Sequence, residues 1–276
     1  MTRIPRPRPF PARGGQGRLS PVTFVTFPHT PPVRGALAVI AFPTAGLSGT
    51  IACRYLVHTL RMEPLGYLDG GDFEPAVCIE QGRASPCVRA FTAPASCGPE
   101  GRCNQLVVIY TDLSPPIDDL RRLASAVLRW AANSRIDSIV VLEGYPSSGA
   151  DTDSSVTPPR VWSMANARGE ALLQHLKAEP MDGMATGFAA ALIVESFPKG
   201  FPIATLVVES QKDHPDARAA AVRARPGIRR TLPGSGMRCG GARGKLPGEE
   251  RTLGDPRAAG MAPYAAPTPF DRPQRG

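Results

Sequence analysis

From about residue 21 to residue 221, short apolar runs alternate with stretches in which apolar residues return every three or four positions. Leu37, Val39, Ile40 and Phe42 make a run of the kind a strand carries when both of its faces are covered. Pro43 has no N–H to donate and closes the ladder. Gly46 and Gly49 permit a sharp reversal, and Ile51, Tyr55, Leu56 and Leu60 then recur at helical spacing, predicting a helix over about 48–61. A strand that feeds a helix through a tight turn builds a parallel α/β sheet, and such sheets gather their sites at those turns.

The same pattern continues along the chain. Residues 22–27 read as an edge strand, 64–68 as a further strand, and 76–80 with 87–91 as a hairpin joined by Gln81-Gly82-Arg83. Residues 93–102 read as a loop, 106–111 as the next central strand, and 117–133 as a long amphipathic helix. Strand 138–142, short elements at 161–165 and 172–176, helix 186–197, strand 203–208 and a helix over 217–222 complete the order. Strands alternating with helices predict an α/β fold: a single three-layer domain with a mixed, mainly parallel sheet flanked by helices.

Charge divides the chain into the same parts. The whole carries +8, but residues 1–34 hold six arginines and no acid, and residues 222–276 hold eleven basic against four acidic residues. That leaves fifteen basic and twenty acidic residues in 35–221, so the folded part is acidic. A nucleic-acid-binding domain would carry its basic stripe on a folded face, so this distribution argues against nucleic acid as a partner. The Pro/Arg-rich residues 1–20 and the basic, low-complexity residues 222–276 are expected to be disordered ends. The second of these is either a natural tail or the product of a shifted reading frame. The abrupt break inside a predicted helix favours the shifted frame. No apolar stretch approaches a membrane span, and the positive N-terminus lacks the apolar segment of a signal peptide. A cytoplasmic protein with no membrane contact is expected. The six cysteines have neither CxxC nor His-coupled zinc spacing, so no metal and no cofactor are expected.

Two groups of residues could carry chemistry. The loop containing Thr44, Gly46, Ser48 and Gly49 could receive an anion or a partner at a helix N-terminus, where free N–H groups favour negative charge. It lacks the lysine of a nucleotide P-loop, and Ser48 or Thr50 could equally cap the helix of a purely structural turn. Carboxylates gather at predicted strand ends: Asp69, Asp72, Asp112, Glu143 and Glu209, with His214 set between Asp213 and Asp216. Strand C-termini are where α/β enzymes place catalytic groups, but turns and helix caps put aspartate there too. His214 could act as a general base, or its segment could be a rigid turn in which Asp216 caps the last helix. No GxSxG surrounds it. Trp130 falls on the apolar face of the long helix, whereas Trp162 could anchor an interface.

The order of these pieces resembles a known family. The segment FPTAGLSGTIACRYLV, then Gly66-Tyr67-Leu68-Asp69 and Asp72, Phe73 and Pro75, resembles the opening of the proteasome assembly chaperone family of archaea and actinobacteria. Gly187-Phe188, the segment Gly200-Phe201-Pro202-Ile203-Ala204 and the alanine-rich run after His214 match it downstream, giving a resemblance over about 21–221. It implies a phosphorylase- or hydrolase-like α/β fold and a non-enzymatic protein that binds proteasome alpha subunits and forms a homo-oligomer. The alternative is a small-molecule enzyme (a hydrolase, a phosphorylase or an ATP-grasp-like ligase) using the strand-end carboxylates. Against the ligase, residues 35–221 contain only three lysines and no basic glycine-rich lid for a triphosphate. Many members of that family end in a hydrophobic residue, tyrosine and any residue; here the nearest echo, Pro263-Tyr264-Ala265, is internal.

Overall fold

The computed structural model describes residues 21–28, 30, 33, 35–70, 76–80, 82–97, 103–146, 158–174 and 178–224. Its centre is strand β2 (Ala36–Ala41), every residue of which is buried. Parallel neighbours pair on either side of it: β7 (Cys103–Tyr110) and β8 (Ile136–Pro146), with β11 (Ile203–Ser210) beyond β8. Beyond β7 the sheet becomes antiparallel through β6 (Arg89–Cys97), β3 (Glu63–Asp69) and β1 (Thr23–Thr26). On the other flank β9 (Val161–Ala165) runs antiparallel to β11, and the two-residue β10 (Glu179–Pro180) lies parallel to β9. The strand order is therefore β1-β3-β6-β7-β2-β8-β11-β9-β10. This is a mixed sheet, parallel in the middle, as the unbroken apolar runs of the central strands require.

Alternate residues of β2 feed two separate cores. Ala36, Ala38 and Ile40 join the cluster that takes in Leu123, Val127 and Leu128 of α2 (Leu120–Asn133) and Phe188, Ala189 and Leu192 of α4 (Phe188–Ser196). Leu37, Val39 and Ala41 face the other side, with Ala52 and Cys53 of α1 (Ser48–Thr59) and Ala220 of α5 (Ala217–Ala224). The short α3 (Glu170–Leu173) covers that side too, through Leu172 and Leu173. Each fully buried leucine or isoleucine in these layers contributes about 1.5–3 kcal/mol relative to exposure. Aromatic pairs tie the layers at two places. Phe24 of edge strand β1 stacks on Trp130 at 4.1 Å, and Phe42 meets Phe188 at 4.2 Å.

The hairpin differs from the expectation. Its second arm is β5 (Arg83–Pro86), paired with β4 (Val77–Glu80), because two residues between Glu80 and Arg83 suffice to turn the chain. Residues from Arg89 onward belong to β6, which also runs through residues expected to be loop. Pro94 is accommodated there by an irregularity in register between Pro94 and Cys97. The expected helix over 117–133 begins as a 3-10 turn, Ile117–Asp119, before α2. Of the expected disordered ends, residues 1–20 and 222–276, residues 222–224 instead continue α5 and the others lie outside the described residues.

The fold rests on a close approach at the end of β8. A Cβ at Gly144 would lie 1.9 Å from the carbonyl oxygen of Ala45 and 2.9 Å from the Ser48 hydroxyl. Backbone cannot yield there without dislodging the β2–α1 turn. Gly144→Ala should therefore destabilise the protein by about 1–3 kcal/mol, the usual range for overpacking. Urea denaturation checks this, and an unchanged midpoint would contradict it.

Candidate functional site

The C-terminal ends of β2, β7, β8 and β11 share one edge of the sheet, and most of the candidate residues lie along it. The turn from β2 into α1 carries Thr44, Gly46, Ser48 and Gly49. Gly46 takes the left-handed conformation at φ 66°, and Leu47 follows at φ 49°, an unusual conformation for leucine. The adjoining strand ends fill this turn. The Thr44 hydroxyl accepts a hydrogen bond from the Gly144 N–H at 2.7 Å, and the Gly46 carbonyl accepts one from the Asp216 N–H at 2.7 Å. The buried Ser210 hydroxyl donates toward Ser48 Oγ at 3.0 Å, and Thr50 donates to the Thr111 carbonyl at 3.2 Å. A Cβ on Gly46 would meet Ser210 Cβ at 2.9 Å and Asp216 Cβ at 3.0 Å. Gly46 is thus packed closely against the chain's own side chains.

The strand-end acids are spread along the edge. Asp112, just after β7, accepts Arg54 at 2.9 Å and Arg89 at 3.0 Å. Glu143, near the end of β8, accepts the N–H of Ala189 at 3.1 Å in the first turn of α4, where the helix dipole favours a negative charge. Strand β2 lies between β7 and β8, and β6 lies between β3 and β7. Asp112 is therefore two strands, or about 10 Å, from both Glu143 and Asp69. Asp69 is exposed at the end of β3, and His214 is exposed in the loop between β11 and α5. Asp216 binds the N–H groups of Ala219 at 2.9 Å and Gln211 at 3.2 Å, capping α5. Asp72 lies outside the described residues. Among the described residues, no group of three or more His, Cys, Asp or Glu side chains could hold a metal ion.

One cluster was not legible in the sequence. Arg89, at the start of β6, is 5% exposed. Its guanidinium binds Glu80 of β4 at 2.8 Å as well as Asp112, and lies 5.0 Å over the ring of Tyr110. Arg54 of α1 joins the same two acids, at 3.4 Å to Glu80 and 2.9 Å to Asp112. Two arginines and two carboxylates thus neutralise one another and clamp the β4–β5 hairpin to the sheet. A buried arginine needs such partners, since an unpaired buried charge is strongly destabilising. Burial pushes the Cys78 thiol up to about 11, helped by a hydrogen bond with Cys87, so it is not a thiolate nucleophile near neutral pH. Burial also raises the Tyr110 hydroxyl, with nearby Arg89 opposing the change. The sequence signals for this cluster are the strand-end Asp112 and Arg89 itself, a charge between Val88 and Ala90.

The chain matches the PAC2 family over residues 38–225, which is more than half of its length. It belongs to the PAC2 family. The matched range runs from β2 to the end of α5, so the β2–α1 turn, the arginine clamp and the capped strand ends all lie within the PAC2 region. The chain is 24% identical over 188 residues to the uncharacterized protein MJ0106 of Methanocaldococcus jannaschii, covering 67% of this chain and 71% of that protein. Among solved structures it is similar to Pyrococcus furiosus PbaA, an archaeal homolog of proteasome-assembly chaperone. That match has a TM-score of 0.62 and 24% identity over 76% of this chain and 85% of PbaA. It is also similar to P. furiosus PbaB, an archaeal proteasome activator, with a TM-score of 0.61 and 19% identity over 77% of this chain and 89% of PbaB. These structures share the fold.

The clamp gives a pH prediction. The hydrogen bond from Arg89 holds the Glu80 carboxyl below its usual range. A carboxyl with a lower pKa in the folded chain stabilises fully above its unfolded value of about 4.3, and this contribution fades as pH falls through the folded value. The stability gap between wild type and Glu80→Gln should therefore be constant from about pH 8 to 5 and shrink below about pH 4. Urea denaturation across that range measures it. A gap that widens on acidification would contradict the clamp.

Proposed function

We propose that this PAC2 protein is a non-enzymatic binding protein of the proteasome-assembly-chaperone type, acting on proteasome alpha subunits in the cytoplasm. The observation that carries the reading is the fold. It is shared over about three quarters of the chain with one protein described as a homolog of proteasome-assembly chaperone and another described as a proteasome activator. The geometry of the strand-end edge supports it. Asp112 and Glu143 are engaged with arginines and a helix N-terminus, and the two lie about 10 Å apart across β2, too far for a shared proton. Self-association belongs to the same reading, since β1 ends the sheet and an open strand edge is a template for pairing. Among the described residues, no helix is long and apolar enough to cross a membrane.

The test is a pull-down of the full chain with proteasome alpha subunits from its own cell, run beside a screen of hydrolase and phosphorylase substrates. The expected result is capture of alpha subunits, with no turnover sensitive to His214→Ala. A general acid or base contributes ~10²–10⁴ in rate, so its removal would be plain. Turnover abolished by His214→Ala, together with no capture of alpha subunits, would favour the enzyme instead.

A further inference from the structure

A surface cavity of about 430 Å³ lies where α2 and α4 meet the residues that lead into β1. Cavities of that size commonly hold ligands. It is lined by Pro21 and Val22, by Arg121, Arg122, Ser125 and Arg129 of α2, and by Glu195 of α4. Three of these seven residues are arginines, in a chain whose residues 35–221 carry twenty acids against fifteen bases. Helical spacing gathers them. Arg122, Ser125 and Arg129 recur at i, i+3 and i+7, and Arg121 lies one turn before Ser125. The same helix buries Leu123, Val127 and Leu128 in the core.

Each arginine is held by part of its guanidinium. Arg121 donates through Nε at 2.9 Å and Nη2 at 2.7 Å to Glu195 Oε1, and Ser125 donates to Oε2 of the same carboxylate at 2.7 Å. Arg122 pairs with the buried Asp119. Arg129 donates to the Val22 carbonyl at 3.1 Å and, among the described residues, meets no carboxylate. Two acids therefore answer three guanidinium groups, and the positive charge left over sits at Arg129. A guanidinium has five N–H donors, so Arg121 and Arg129 each keep donors for an outside acceptor. Its fork suits a carboxylate, and side chains already fixed lose less freedom on binding.

Arg121 and Arg129 are eight residues apart on α2, about 12 Å along the helix axis. A single phosphate group is far shorter than that span. An extended peptide sets side chains four residues apart on one side at about 13 Å, which matches it. We propose that this cavity binds an acidic, extended segment of a partner protein, with one carboxylate at Arg129 and another at Arg121. The segment ahead of Pro21 does not complement the cavity, since residues 1–20 contain five arginines and no acid. This site rests on the protein-binding role proposed above and sets the chemistry of one contact, whichever protein makes it.

Fluorescence anisotropy on the full chain tests it, with a fluorescein-labelled peptide of alternating glutamate and serine and its glutamine counterpart. The glutamate peptide should bind with a Kd on the order of 0.1 mM at ~50 mM salt and ~10-fold more weakly at ~0.5 M, where charges are screened. The glutamine peptide should bind at least ~10-fold more weakly, and Arg129→Gln should cost the glutamate peptide ~10-fold. Glu195→Gln should act the other way and tighten binding ~3-fold, because it takes a competing carboxylate from Arg121. A loss of folding would not produce that gain. Arg3→Gln combined with Arg6→Gln removes more charge, but outside the cavity, and should leave the Kd within about twofold. Equal binding of the two peptides, indifference to Arg129→Gln, weaker binding by Glu195→Gln, or a loss on changing Arg3 and Arg6 as large as that for Arg129 would each overturn the site. So would Arg129-dependent binding of inorganic tripolyphosphate by a chain that does not bind the glutamate peptide. Alpha subunits take no part in this assay, so the site can fail while their capture succeeds, and the reverse.

Discussion

Strand β2 sits between two parallel neighbours with helices on both faces, so its six residues are all out of water. With no water within reach, every N–H and C=O along it must pair in the ladder, and both faces must be filled. That constraint sets the rest. The order β7-β2-β8-β11 places four strand ends on one edge, and α2 with α4 on one face must match α1 with α5 on the other. The turn leaving β2 must then reverse within a few residues beneath the ends of β8 and β11. Glycine at 46 and 144 is what lets three backbone segments meet there.

The close fit of that edge bears on function. In many α/β proteins the crevice beyond the strand ends holds a ligand. Among the described residues of this edge, many polar groups bond to one another: Thr44 to Gly144, Ser210 to Ser48, Asp216 to Gly46, Glu143 to α4, and Asp112 to two arginines. Its polar groups stiffen the domain. Large apolar side chains are left in water both at this edge, on Leu47 and Tyr145, and away from it, on the outer face of α4 and on Val77 and Ile79 of the hairpin. Such surfaces suit a protein whose work is to bind other proteins.

Much of this could be read from the sequence because β2, α1, α2 and β11 have strong periodicity and clear punctuation. Pro43, Gly46 and Gly49 mark the first turn, and Pro215 with Asp216 marks the start of α5. The hairpin arm differs from the expectation because Arg83–Pro86 looks polar and Cys87–Phe91 looks like a strand; Arg83–Pro86 is a strand of the small sheet, and the main-sheet strand starts only at Arg89. Pro94 made the second half of β6 look like a loop, since the irregularity that admits it depends on pairing with β7. The arginine clamp joins α1, β4, β6 and Asp112 beyond β7 across separations of up to 58 residues, which no local pattern reveals. The strand-end acids were individually visible, but their spacing across the sheet depends on strand order, and sequence does not show strand order.

Asp112 and Glu143 each tie a strand end to a neighbouring element. Denaturant unfolding of Asp112→Asn and Glu143→Gln tests this most directly. Each should lose stability, by about 1–3 kcal/mol for Asp112, which leaves buried Arg89 short of a partner, and about 1 kcal/mol for Glu143, which caps α4. A rise in stability for either would contradict the account, since that is the behaviour of a carboxylate kept for function at the expense of the fold.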